Sequence, residues 1–240
     1  MMRTSELAPG NVNLAGMSER TREAYDQWAA TYDSSPNPQI VLEFPEVLAL
    51  LAPVAGETVL DAACGTGRYS VAIAERGAQV VGLDFSAEML ALARRRMPAT
   101  EFHAADLSKA LPFVSRSFDA VLCAQALKHI ADLNFTMREF ARVLRPGGRV
   151  VFSVTHPSMV WDNYEMREHP GFLLNEHADI IHHQLDDYLA AVENAGLKIA
   201  QLLAIPISER IRGLLTERSY GLVAGRIQIL AIRAERPLKE

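Results

Sequence analysis

The chain has 240 residues, a length suited to one α/β domain, and 49% of them are apolar, enough to bury a sheet on both faces. A formal net charge of −5 argues against nucleic acid as the main partner, which would favour a basic face. Two cysteines make no disulfide framework, no apolar run reaches the length of a membrane span, and residues 1–20 lack the continuous apolar core of a secretory leader, so the expectation is a cytoplasmic protein without membrane contact.

In chain order, residues 1–16 carry Ser, Pro, Gly and Asn and are expected to be flexible. Ser18 is placed to cap a helix running to about Tyr32, with Ala24, Trp28 and Tyr32 at helical spacing. Ser34-Ser35-Pro36-Asn37-Pro38 breaks the chain before a second helix near 39–52. From residue 56 the pattern alternates: strands near 57–61, 79–84, 100–104, 118–123 and 148–155, helices near 68–76, 86–96 and 134–144, with Ser86 as the N-cap of the second. This alternation predicts an α/β fold with a mostly parallel, doubly wound sheet and helices on both faces. Arg94-Arg95-Arg96 falls at a helix end, where cations complement the dipole, and reads as a solvated terminus. After Thr155, residues 156–181 have no clean period and read as an inserted lid or substrate wall. A helix near 184–195 ends at Gly196, and two further β-like segments, 197–204 and 226–233, flank a variable insert at 206–225.

The chemistry concentrates at two strand tips. Val59-Leu60-Asp61 ends a buried strand, passes through a turn with Gly65 and Gly67, and opens a helix at Arg68. Such a turn lets a ligand lie against bare backbone, and the helix start presents free N–H groups to an anion. The next strand ends at Asp84, where a carboxylate can accept hydrogen bonds from both hydroxyls of a ribose. A dinucleotide fingerprint would place a third glycine where Ser70 stands, and Asp61 would repel a pyrophosphate but attract an amino group. A ligand with an ammonium, a carboxylate and a ribose fits better, and S-adenosylmethionine (SAM) has all three.

Leu60-Asp61-Ala62-Ala63-Cys64-Gly65-Thr66-Gly67 resembles the glycine motif of class I SAM-dependent methyltransferases, which usually reads D-x-G-x-G-x-G. Ala63 replaces the first glycine and leaves less backbone room there. Val81 to Ser86, Ala104 to Leu107, Leu111 to Val121 and Val143 to Gly148 resemble later segments of the same family, in order and in register over roughly 57–155. The resemblance is to small-molecule methyltransferases such as those of quinone and natural-product biosynthesis. It implies a seven-stranded sheet with an antiparallel last strand. It also implies a single domain over 17–240: a helical cap at 17–55, a SAM-binding core at 56–155, and substrate-side inserts at 156–225.

By that resemblance Asp61 faces the ammonium of SAM, Ala62, Ala63, Gly65 and Gly67 wrap its amino-acid tail, and Asp84 holds the ribose. Phe85 lies along the adenine, Asp106 and the Leu107 N–H meet its edge, and Ala124 and Gln125 line the sulfonium pocket. The alternatives are local: Asp61 capping its own turn, Asp84 capping the helix at 86, and Asp106 making a turn. For Cys64 and Cys123 the expectation is small buried packing residues, close to one another if their strands are neighbours. His156 and His129 are the candidate general bases, ahead of His182 and His183. Tyr25, Trp28 and Tyr32, with Trp161 and Tyr164, are candidates for an aromatic wall over an apolar acceptor, against simple packing of the helix on the sheet. No Asn-Pro-Pro-Tyr motif for a planar nitrogen follows the fourth strand, and no residue cluster has metal-ligand spacing, so no metal is expected. The N-terminal helix pair is a candidate contact for a homo-oligomer. The expected function is methyl transfer from SAM to O, N or activated C of a small molecule. The rivals are a SAM-binding protein, enzyme or regulator, that transfers no methyl, a nucleotide-dependent oxidoreductase, and a methyltransferase of protein or RNA.

Overall fold

A computed structural model describes residues 19–34, 37–156 and 178–238. Two helices, α1 (Glu19–Tyr32) and α2 (Pro38–Leu51), precede the sheet. The strands are β1 (Thr58–Ala62), β2 (Gln79–Asp84), β3 (Glu101–Ala104), β4 (Phe118–Ala124), β5 (Leu144–Thr155), β6 (Lys198–Pro206) and β7 (Ile227–Glu235). Between them lie α3 (Arg68–Ala74), α4 (Ala87–Arg96), α5 (Leu133–Val143), α6 (Leu185–Asn194) and α7 (Glu217–Val223).

The strand order is β3-β2-β1-β4-β5-β7-β6, and β7 alone runs antiparallel to its neighbours. Strand side chains alternate between the two faces, so a sheet buried on both sides draws apolar residues at every position. Leu60, Val121, Cys123, Val150 and Phe152 pack under α5 and α6 with Phe140 and Tyr188. Their sequence neighbours Val59, Ala120, Leu122 and Val151 pack under α2 and α3 with Leu42, Leu51 and Ile73. Each large apolar side chain removed from water in this way contributes about 1.5–3 kcal/mol before its entropy cost.

Local chemistry sets the helix ends near the site. Asn37 caps α2 by accepting from the Gln39 N–H, and Ser86 caps α4 by accepting from the Met89 N–H. Gly196 closes α6 with a left-handed φ of 75° while the Leu197 N–H reaches back to the Val192 carbonyl. The Ser18 cap lies outside the described residues. β5 begins at Leu144, four residues before the expected start, because Leu144 pairs with Phe118 before a register shift at Phe118/Ala120. The 206–225 insert is structured: the 3-10 turn Glu209–Leu214 and α7 cover α2, with Ile211 buried in the α2 cluster.

Two expectations are corrected. The Arg94–Arg96 run is not simply solvated: Arg94 donates to the Phe102 carbonyl and Arg96 to the Thr66 carbonyl and to Asp33, tying the end of α4 to β3 and to the glycine turn. The two thiols belong to separate clusters, Cys64 with Leu90, Ala93 and Phe102, Cys123 in the α5–α6 core. Cys64 lies past the end of β1, in a turn tied to β2 by its N–H bond to the Leu83 carbonyl. Among the described residues no helix is long and apolar enough to cross a membrane.

Candidate active site

The carboxyl ends of β1, β2, β4 and β5 meet at one edge of the sheet, where open α/β folds bind ligands. Asp61 is 2% exposed there and accepts a 2.6 Å hydrogen bond from the Ser70 hydroxyl. That bond gives Ser70 a use that a third glycine could not fill. Burial pushes the Asp61 carboxyl up to about 7; the Ser70 bond opposes the shift and the nearby charge of Asp84 adds to it. No cation pairs with Asp61 among the described residues, so its charged form has Ser70 as a hydrogen-bond partner and no counter-charge.

The turn after Asp61 is held open by backbone conformation. Ala63, Gly65 and Gly67 have φ of 65°, 54° and 81°, and Gly67 heads α3. Ala63 pays for this with strain that glycine would not feel. A Cβ placed on Gly65 would meet nothing within 4 Å, so this stretch of backbone faces free space. The Gly65 N–H donates to Asp84 Oδ2 at 2.8 Å and the Ser86 N–H to Asp84 Oδ1 at 2.9 Å. Asp84 therefore welds the glycine turn to the tip of β2, and burial pushes its carboxyl up to about 6.

Helix α1 lies over these tips. Its Asp26 accepts from the Ser86 hydroxyl, and Asp33, just past its end, accepts from the Thr66 hydroxyl, Arg68 and Arg96. Tyr25 meets Phe85 edge-on, with ring centroids 5.9 Å apart, and Trp28 meets Tyr32 in the same way at 4.5 Å. Arg68 sits over the Tyr32 ring. Tyr25, Trp28, Tyr32 and Phe85 thus form one aromatic row above the turn. Trp161 and Tyr164 lie outside the described residues.

At the tips of β4 and β5 a polar chain crosses the site. Gln125 follows Ala124 with φ of 57° and its N–H bonds to the Ser153 carbonyl. Its side-chain Nε2 donates to Glu43 Oε2 at 2.7 Å, while its Oε1 accepts from Thr155, which accepts from Gln39. Both ends of the amide are thereby fixed. Glu43 comes from α2, is 1% exposed, and is pushed up to about 6 by burial, against the pull of Gln125, Ser153, Lys128 and Arg68. Lys128, two residues beyond Ala126, is brought down to about 8 by burial, with Glu43 opposing. The Tyr69 hydroxyl is buried with no hydrogen-bond partner among the described residues, in the field of Glu43, Asp61, Tyr32 and Arg68.

The histidines differ in surroundings. His129 is buried, its Nδ1 2.6 Å from the Asp179 carbonyl and its Nε2 3.1 Å from the Tyr25 hydroxyl. A carbonyl can only accept, so Nδ1 carries the proton and Nε2 accepts from Tyr25. Burial holds this ring neutral, down to about 3. His156 sits at the end of β5, its N–H on the Gln228 carbonyl. His183 bonds the Ile130 carbonyl, and His182 is exposed. Asp106 accepts from both the N–H and hydroxyl of Ser108 in a tight turn, and Leu107 is buried beside it, both just past the end of β3.

Glu43 was missed by sequence reasoning, as were Tyr69 and Lys128 as site members. The signal for Glu43 was present: it stands on the apolar stripe of α2, one turn before Val47, where a carboxylate needs a reason.

A methyltransferase domain family matches residues 60–152. The demethylmenaquinone methyltransferase of Clavibacter sepedonicus is 40% identical over 164 residues, 66% of this chain and 64% of that protein. Methyltransferase GfsG of Streptomyces halstedii is 35% identical over 165 residues, 66% of this chain and 58% of that protein. The match thus spans less than two thirds of the length of either relative. A crystal structure of a SAM-dependent methyltransferase from Mesorhizobium loti superposes with a TM-score of 0.67 at 27% identity, covering 83% of this chain and all of that one.

Proposed function

We propose that this chain is a SAM-dependent methyltransferase that transfers a methyl group from SAM to a small-molecule acceptor, a reading supported by the methyltransferase domain match over residues 60–152 and by relatives named methyltransferases. The observation that carries this is the buried Asp61 carboxyl, without a cationic partner among the described residues, beside a glycine turn in which Gly65 faces open space. An ammonium at Asp61 removes the penalty of a buried unpaired charge, so the residues present fit the cofactor. Asp61 would hold the ammonium, the 63–67 turn the amino-acid tail, Asp84 the ribose, and Phe85, Asp106 and Leu107 the adenine. SAM supplies an electrophilic methyl and a thioether that leaves with its bonding electrons. Everything else falls to the chain: α1 excludes water, and the aromatic row of Tyr25, Trp28 and Tyr32 walls an apolar acceptor. His129, with both ring nitrogens engaged, serves in this reading to orient Tyr25.

The relatives named for demethylmenaquinone support a reduced quinone as the acceptor class. Two unpaired buried thiols suit the reducing cytoplasm. The test is release of S-adenosylhomocysteine (SAH) when the purified chain is given SAM and a panel of quinols, phenols and amines. SAM binding with no SAH above the rate without acceptor would leave a binding protein in place of an enzyme.

A further inference from the structure

We propose that the cavity between α2, α3 and the end of α4 binds a small anionic amphiphile, a phosphate ester or carboxylate with a short apolar tail, and that its occupant loosens the hold on α1. The inference goes beyond methyl transfer and does not depend on the identity of the acceptor.

The cavity has a volume of about 440 Å³, within the roughly 300–1,000 Å³ of small-molecule sites. Asp61, Asp84 and Phe85 do not line it, so it lies apart from the cofactor side of the glycine turn. Arg68, from the start of α3, and Arg96, from the end of α4, enter it together with Asp33. Both guanidiniums converge on that one carboxylate. Arg68 Nη2 donates to Asp33 Oδ1 at 3.0 Å and Arg96 Nη2 to Oδ2 at 2.6 Å, and the Thr66 hydroxyl donates to Oδ1 at 2.9 Å. The seat for an anion is therefore built, and the chain's own carboxylate sits in it. Two cations against one anion leave a positive charge in excess among the lining side chains.

The seat is also open. The Arg68 and Arg96 side chains are 30% and 34% exposed, so solutes reach them. Among the described residues Arg68 gives one N–H to Asp33, and its other contact, the Tyr32 ring, lies against the face of the guanidinium, which leaves the rest of its fork to a second anion. Ile40 and Val41 from the first turn of α2, with Val71 from α3, make an apolar wall, and Val41 is 37% exposed. The N-terminal end of the α2 dipole adds attraction for negative charge. A bare ion would satisfy the arginines and leave that wall wet; an amphiphile satisfies both.

Asp33 lies just past α1, and its bonds to the two arginines help to hold that helix over the strand tips. An anion that draws on the same guanidiniums weakens those bonds. Arg96 also donates to the Thr66 carbonyl, so the glycine turn feels the occupant. Anion binding and closure of α1 thus oppose each other, and linkage makes the opposition reciprocal.

The test is calorimetric titration of the full chain with hexyl phosphate, hexanoate, inorganic phosphate and hexylamine. Wild type is compared with Arg68→Gln, Arg96→Gln, Val41→Asp and Asp33→Asn, and with Arg212→Gln as a control on an exposed arginine outside the cavity. The expected result is that hexyl phosphate and hexanoate bind, inorganic phosphate binds several-fold more weakly, and hexylamine does not bind. Arg68→Gln, Arg96→Gln and Val41→Asp should each weaken hexyl phosphate by on the order of tenfold. Asp33→Asn should tighten it several-fold, because both arginines are released, and Arg212→Gln should leave it unchanged. The Val41 variant carries the test by itself if loss of an arginine unfolds the chain, since its side chain is already in water. No binding of hexyl phosphate, or equal affinity in wild type and Val41→Asp, overturns the site. Flotation with phosphatidic-acid vesicles separates the sources: capture that hexyl phosphate reverses assigns a lipid headgroup, and hexyl phosphate binding without capture assigns a soluble ester. Saturating hexyl phosphate should also speed SAH dissociation several-fold in wild type and not in Asp33→Ala, measured by stopped flow. An unchanged rate in wild type overturns the coupling to α1. A chain that binds no SAH would count against methyl transfer, and the titrations would still decide the anion site.

Discussion

At the scale of single residues, the site stores unfavourable conformation and charge where a ligand can relieve them. Asp61 shows the charge. Its carboxyl, pushed up to about 7, is mostly protonated in the free protein below that pH. An ammonium needs the carboxylate, so SAH affinity should fall as pH drops through about 7, by up to about tenfold per unit, with one proton released on binding. Calorimetry in buffers of different ionisation enthalpy measures both; an Asp61→Asn protein with the same pH dependence would remove Asp61 from the ammonium site. Ala63 shows the conformation. Its φ of 65° costs about 1–2 kcal/mol, and glycine would recover this less about 0.5–1 kcal/mol of extra chain entropy. Ala63→Gly should therefore stabilise the protein by about 0.5–1 kcal/mol in urea denaturation. Ser70 at the third glycine position follows from Asp61, because its hydroxyl is the strongest local compensation that carboxylate has.

At the scale of elements, the strands and helices are set by short-range chemistry and their mutual fit by a few close approaches. β2 has Gly82 where Phe102 of β3 leans across, and a Cβ there would overlap the Phe102 ring and press on Cys64 Sγ. Gly82→Ala should cost about 1–3 kcal/mol, the usual penalty of overpacking, and loosen the Cys64–Leu90–Phe102 cluster that backs the glycine turn. Urea denaturation gives the first quantity; faster alkylation of Cys64, whose thiol burial pushes well up, reports the second. An unchanged midpoint would show that Phe102 swings away freely. The late 3-10 turn and α7 escaped sequence reasoning because six and seven residues are too few to show a helical period.

At the scale of the whole molecule, polar contacts that fasten α1 over the strand tips include Tyr25 on His129, Asp26 on Ser86, and Asp33, just past its end, on Thr66, Arg68 and Arg96. The Asp33 arginines are about one third exposed, so this clasp is worth about 1 kcal/mol and no more. Such a fastening suits a cover that must open for ligand exchange. Asp33→Ala should speed SAH dissociation several-fold in stopped-flow displacement while lowering the unfolding free energy by no more than about 1 kcal/mol. Equal dissociation rates would mean that α1 does not open through this end.

The sequence alone determined the alternation of strands and helices, the caps at Ser86 and Gly196, and the two acids at the tips of β1 and β2. Those features are local: an apolar period, a turn residue and a carboxylate all act within a few positions of one another. Only the tertiary structure decided that β5 starts at Leu144, that Arg96 reaches the glycine turn, that His129 spends both nitrogens on neighbours, and that Glu43 stands against Gln125 from 82 residues away. The physical reason is that burial and partner choice depend on which elements the sheet order brings side by side. Asp61 could be read as a strand-tip acid from its place in the chain. Glu43 stood out in the sequence only as a carboxylate on an apolar stripe; its partner Gln125 followed once α2 was laid across the ends of β4 and β5.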